Sequence, residues 1–134
     1  MTDLDRRAER GLLSLLITDT AAAWEILRLR LRSNDFISLQ HRAIWLAAVH
    51  LYERNEPIDV LTVIEETRRD PDLESVPAAY VQELAGVCIL YQRSDIPSMA
   101  HVLIPAAART ARRPATAQEL MDDVMSERDE KGTP

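Results

Sequence analysis

Cysteine is nearly missing from this chain of 134 residues: Cys88 stands alone. No disulfide can close within it, and nothing in its composition asks for an oxidising compartment. Glycine is scarce too. Gly11, Gly86 and Gly132 lie far apart, and Lys131, the sole lysine, precedes the last of them. That excludes both the glycine-rich loop that cradles nucleotide phosphates and the dinucleotide-binding fingerprint. Aromatic residues make up only 4%, which removes much of what sheets and base-stacking platforms are built from. No apolar run approaches the roughly 18 residues of a membrane span, and no N-terminal stretch joins a basic segment to an apolar core and a cleavage site. A cytoplasmic protein without membrane attachment is expected. Positive charge is also short, with 16 basic against 22 acidic residues and a net charge of −6. This is the wrong sign for a protein whose main work is to neutralise phosphates, so direct nucleic-acid binding is not the leading expectation.

Metal and catalytic signatures are thin by the same reading. His41, His50 and His101 are widely separated, and nine residues between the first two amount to about two and a half helical turns, too far for a first-turn ligand pair. Cys88 reads as a small core hydrophobe. No nucleophile elbow or reactive-cysteine signature is present. We therefore expect no metal, no other cofactor and no enzymatic activity, and no cleft that gathers His41, His50 or Cys88 with a carboxylate.

What the chain does have is helix-forming residues at helical spacing. Apolar residues reach 46% and charged residues 28%, the balance of a globular domain of about 100–150 residues. Leu4, Ala8, Leu12, Leu15 and Leu16 predict a first helix, with Thr2 or Asp3 as cap and Arg6, Arg7 and Arg10 on its solvent side. Gly11 weakens that helix unless something packs closely against it. A second helix is expected from about Ala21 to Leu31, burying Ala23, Ile26 and Leu27. A third runs from Leu39 to about Asn55 behind Ser38, with Trp45 and Val49 on a second buried face, and reads as the spine of the fold. Asp59 caps a fourth, with Val60, Leu61, Val63 and Ile64 inward and Glu65, Glu66, Arg68 and Arg69 outward. A fifth spans about Pro77 to Ile89, with Tyr80, Val81, Leu84, Val87 and Cys88 inward. A sixth starts near Pro97 and is interrupted at Pro105. Thr116 and Glu119 have capping-box spacing and open a seventh.

The fold class is all-α: a compact head of five to six helices over residues 1–94, a short C-terminal helical hairpin or extension over 95–130, and a tail over 131–134. The apolar stripe of Leu103, Ile104, Leu120, Met121, Val124 and Met125 is the candidate protein interface, because a narrow hairpin cannot bury both of its faces. Closure of that stripe onto the head is the alternative. A further alternative for the whole chain is a small nucleic-acid-binding regulator using Arg28, Arg30 and Arg32, or Arg109, Arg112 and Arg113.

Several linked motifs then occur in order. Asp35-Phe36 is followed by His41-Arg42-x-Ile44, by Leu51-Tyr52, and by Glu56-Pro57-Ile58-Asp59-x-Leu61-Thr62-Val63. Upstream stands Ala8-Glu9 before Leu12-Leu13, and downstream Tyr80-Val81-Gln82-Glu83-Leu84-Ala85. This order resembles the N-terminal domain of bacterial replicative helicases of the DnaB type, over about Ala8 to Ile104. The shared residues Asp35, Phe36, His41, Arg42, Ile44, Pro57, Asp59 and Leu61 read as a fold signature: Phe36 enters the core, His41 orients its loop by hydrogen bonds, and Leu61 and Val63 bury. The resemblance implies a helical interaction module that forms a homodimer or higher oligomer, or docks a replicative helicase, primase or helicase loader. ATP hydrolysis would belong to a separate RecA-like motor domain, which this sequence does not contain.

Overall fold

A computed structural model describes residues 2–73 and 75–104 of the chain. Six α-helices carry them: α1 (Asp3–Thr18), α2 (Thr20–Leu27), α3 (Leu39–Glu53), α4 (Val60–Arg69), α5 (Ala78–Gly86) and α6 (Ile96–Leu103), with 3-10 turns at Ser33–Asp35, Val87–Leu90 and Arg93–Asp95. No strand occurs among the described residues. The helix starts follow local chemistry. The Thr2 hydroxyl accepts the Asp5 N–H while Asp5 accepts that of Thr2, both at 3.1 Å; Asp19 accepts the Ala22 N–H, and Asp59 and Thr62 cap one another reciprocally at 2.9 Å. Each such cap satisfies backbone donors that the first helical turn leaves orphaned and stabilises its helix by about 1 kcal/mol.

The centre of the fold is α1 rather than α3. Gly11 through Ile17 are all buried, and α1 packs against α2, α3, α4, α5 and α6. A helix surrounded on every side must admit close neighbours. A Cβ on Gly11 would collide with Met99 Sδ and come within 2.8 Å of Tyr91 Cε1, so the missing side chain is what lets α6 and the Tyr91 ring approach. Helix α3 is buried on two faces as expected, and its Trp45 lies against Phe36, with ring centroids 5.7 Å apart.

Several boundaries and faces differ from the sequence reading. Helix α2 stops at Leu27, four residues early, where Arg30 takes a left-handed φ of 61°. Leu4 is 62% exposed, one turn before α1 enters the core. Leu61, expected inward, is 73% exposed, because it stands one position off the stripe Val60, Val63, Ile64 and Thr67 that faces α3 and α5. Glu66, expected outward, is 4% exposed. Helix α5 gives way to the turn Val87–Leu90, which leaves Cys88 half-buried instead of in the core.

Helix α6, which the periodicity puts at the start of a C-terminal hairpin, lies along α1 and buries Ile96, Met99 and Ala100. It stops at Leu103, and Ile104 is extended at φ −87°, ψ 121°, the conformation that a following proline imposes. The rest of that hairpin, with Pro105, the capping box at Thr116 and the tail over 131–134, lies outside the described residues.

Candidate protein-interaction surface

Five of the signature residues, Asp35, Phe36, His41, Arg42 and Ile44, gather at the loop between α2 and α3 and the start of α3. Asp35 accepts the Arg32 N–H at 2.8 Å, and Arg42 Nε donates to the Phe36 carbonyl at 2.6 Å. These two bonds set the loop so that Phe36 inserts, fully buried, beside Trp45. Beneath the loop lies Glu9, only 1% exposed. Its Oε2 accepts the Ile37 N–H at 2.8 Å, and its Oε1 accepts His41 Nδ1 at 2.7 Å and the Ser38 N–H at 3.4 Å. The other ring nitrogen of His41 takes the Tyr80 hydroxyl at 2.6 Å. Burial pushes the Tyr80 phenol upward, against the pull of Arg10 and Arg6. A carboxylate, an imidazole and a phenol thus tie α1, α3 and α5 together inside the head. Pro57 and Asp59 form the exposed turn that ends α3's excursion and caps α4.

At the other end of α3, Glu66 receives both guanidinium nitrogens of Arg54, at 2.6 and 3.0 Å. Arg54 holds the Glu66 carboxyl below the usual carboxylate range and is itself raised in return. His50 Nδ1 lies 3.5 Å from Glu66 and 3.4 Å from Asp70. Both histidines therefore meet carboxylates, His41 in the packed core rather than in a cleft and His50 at a partly exposed helix end. One signal for it was legible. Glu9 falls on the i, i+3, i+4, i+7 stripe with Leu12, Leu13 and Leu16, and Glu66 likewise with Val63, Thr67 and Asp70, so both carboxylates occupy core-facing positions.

Of the candidate interface residues, Leu103 is half-buried and Ile104 is 6% exposed. Ile104 closes onto the head, and its N–H continues the α6 ladder to the Ala100 carbonyl. Leu120, Met121, Val124 and Met125 lie outside the described residues, as do Arg109, Arg112 and Arg113. Arg28 packs over the Trp24 ring at 5.8 Å, and Arg30 and Arg32 are half-buried.

One exposed apolar patch lies elsewhere. Leu4, Ile89 and Leu90 are 62, 85 and 72% exposed. Leu4 and Leu90, with Tyr91, Met99 and Val102, line a groove of about 290 Å³ between α1 and α6. A cleft of about 350 Å³ adjoins it, shares Arg7, Leu90 and Tyr91, and adds Asp3, Arg6 and Arg10. Arg10 reaches Glu83 through Nη2 at 3.4 Å, yet its Nε is buried with no hydrogen-bond partner among the described residues. Periodicity missed this surface because it assigned Leu4 to the core and Leu90 to no face.

Comparison with known proteins places this architecture. The model of the DnaB-like helicase N-terminal domain matches residues 3–103. The replicative DNA helicase DnaB of Buchnera aphidicola subsp. Baizongia pistaciae is 29% identical over 96 residues, covering 71% of this chain and 19% of that protein. DnaB of Rhodothermus marinus is 29% identical over 130 residues, covering 89% and 14%. The chain thus spans a fifth or less of these relatives' length. A crystal structure of the N-terminal domain of DnaB helicase from Mycobacterium tuberculosis superposes with a TM-score of 0.59 at 22% identity, over 93% of this chain and 96% of that one. No helix among the described residues is long and apolar enough to cross a membrane. With a family model spanning α1 to α6 and an all-helical head that matches a solved one, this chain belongs to the DnaB-like helicase N-terminal domain family.

Proposed function

We propose that the chain is a non-catalytic protein-interaction module of the cytoplasm that self-associates through the groove between α1 and α6. The groove itself carries the reading: an apolar floor of Leu4, Leu90, Tyr91 and Val102 beside Arg6, Arg7 and Arg10 suits an amphipathic segment bearing both apolar and acidic side chains. Such a segment is present in the same sequence, where Leu120, Met121, Val124 and Met125 flank Asp122 and Asp123. A second copy supplying it would bring carboxylates to the three arginines. The relatives' name supports a place in a replicative helicase assembly, with a helicase, primase or loader as the heterologous partner of the same surface.

Light scattering across a concentration series tests this on the intact chain, on a chain ending at Arg113 and on Leu90→Glu. We expect the intact chain to dimerise or form a larger species, and both changes to return it to monomer. A monomer at every concentration, or a dimer untouched by either change, overturns self-association through this groove.

A further inference from the structure

His50, Glu66 and Asp70 bring one imidazole nitrogen and two carboxylate oxygens within 4.8 Å of one another. Glu66 and Asp70 stand four residues apart at the end of α4, so they stack on one helical face, and His50 meets them from the end of α3. The distances from His50 Nδ1, 3.5 Å to Glu66 Oε2 and 3.4 Å to Asp70 Oδ2, exceed the roughly 2.7–3.2 Å of a hydrogen bond. They match the separation of about 3.3–3.6 Å between ligand atoms that surround a tetrahedral ion at about 2.0–2.2 Å.

Each carboxylate is already held in place by a donor. Asp70 Oδ1 accepts the Asp72 N–H at 2.9 Å, leaving Oδ2 toward the ring. Glu66 Oε1 accepts Arg54 Nη2 at 2.6 Å, so Oε2, which also takes Nη1 at 3.0 Å, is the oxygen turned to His50. Such outer partners orient metal ligands and reduce the ordering that binding requires. The cluster is not a patch of solvated acids: the Glu66 side chain is 4% exposed, while His50 at 16% and Asp70 at 22% leave a way in.

We propose that these three side chains bind a divalent transition-metal ion of the zinc type, with water completing the coordination, and that the ion clasps the end of α3 to the end of α4. An imidazole donor with only two carboxylates selects against Mg²⁺ and Ca²⁺, which prefer an all-oxygen set.

Calorimetric titration of the intact chain with Zn²⁺, together with the visible spectrum of its Co²⁺ form, tests the site. One ion per chain is expected, with the intense absorption of tetrahedral Co²⁺ and no saturable uptake of Mg²⁺. H50Q and D70N should each weaken Zn²⁺ binding by about tenfold or more, while H101Q leaves it unchanged. Histidine NMR of the unmutated chain guards against variants that fail to fold: Co²⁺ should perturb the His50 ring ahead of His41 and His101. No uptake below about 1 mM Zn²⁺, uptake insensitive to H50Q, or Co²⁺ effects centred on another histidine would overturn the proposal.

Discussion

The two ends of α3 each set a histidine against a buried carboxylate, and they resolve it differently. At the start of the helix, His41 is gripped by Glu9 and Tyr80 through contacts of 2.7 and 2.6 Å, and Glu9 spends its remaining capacity on the N–H groups of Ile37 and Ser38. At the end of the helix, His50 stands off both of its carboxylates at 3.4–3.5 Å, and Arg54 neutralises Glu66 instead. A fully satisfied buried network stabilises and specifies a fold but has no capacity left for a ligand. A loosely spaced one contributes less to folding and can still bind something.

The largest effect that would break this contrast is loss of Glu9. Glu9→Ala takes the partner from His41 Nδ1 in the buried interior and from the Ile37 N–H of the loop, and we expect chemical denaturation to show a loss of about 2–4 kcal/mol. Next come the two histidines compared directly. His41→Gln should cost about 2 kcal/mol, whereas metal-free His50→Gln should cost less than about 0.5 kcal/mol, because long contacts at a partly exposed site contribute little. Equal losses from the two would erase the distinction drawn between the helix ends.

Arg54→Met sharpens it from the other side. Glu66 would stay buried without its guanidinium, but Arg54 is 41% exposed and water reaches the pair, so an expected cost of about 1–2 kcal/mol is well below that of a sealed ion pair. The smallest effect is at Tyr80. Tyr80→Phe should remove about 1 kcal/mol. Because burial raises the folded phenol above its unfolded value, its contribution is complete below a pH of about 10 and declines as the pH rises through the folded value. Thermal melting of the unmutated chain against Tyr80→Phe should therefore converge on the alkaline side. A gap that persists there would remove Tyr80 from the network.

Much of this was legible in the residues themselves. Caps at Thr2, Asp19, Ser38 and Asp59 mark helix starts because a short polar side chain answers orphaned N–H groups a few residues away. The Pro105 stop acts on its immediate neighbour, and the order of motifs from Ala8 to Ala85 carries the family. The candidate site was harder to see. Leu4 and Leu61 look buried because they are apolar and near a stripe, yet the first lies beyond the end of the core and the second one position off the packed face. Periodicity reports which residues share a face and not whether another element covers it.

The sequence by itself determined the six described helices, their capped starts and the family, since these rest on contacts within a few residues or on motif order. Only the tertiary structure decided that α1 rather than α3 is surrounded, because that depends on α6 settling into the space left by Gly11. The same holds for Glu9 and Glu66. A carboxylate on a core-facing position is a contradiction along the chain, and it is resolved by groups 32 and 12 residues away, His41 and Arg54. Local chemistry places a charge on a face; long-range packing decides whether that charge meets water, a partner or a metal ion.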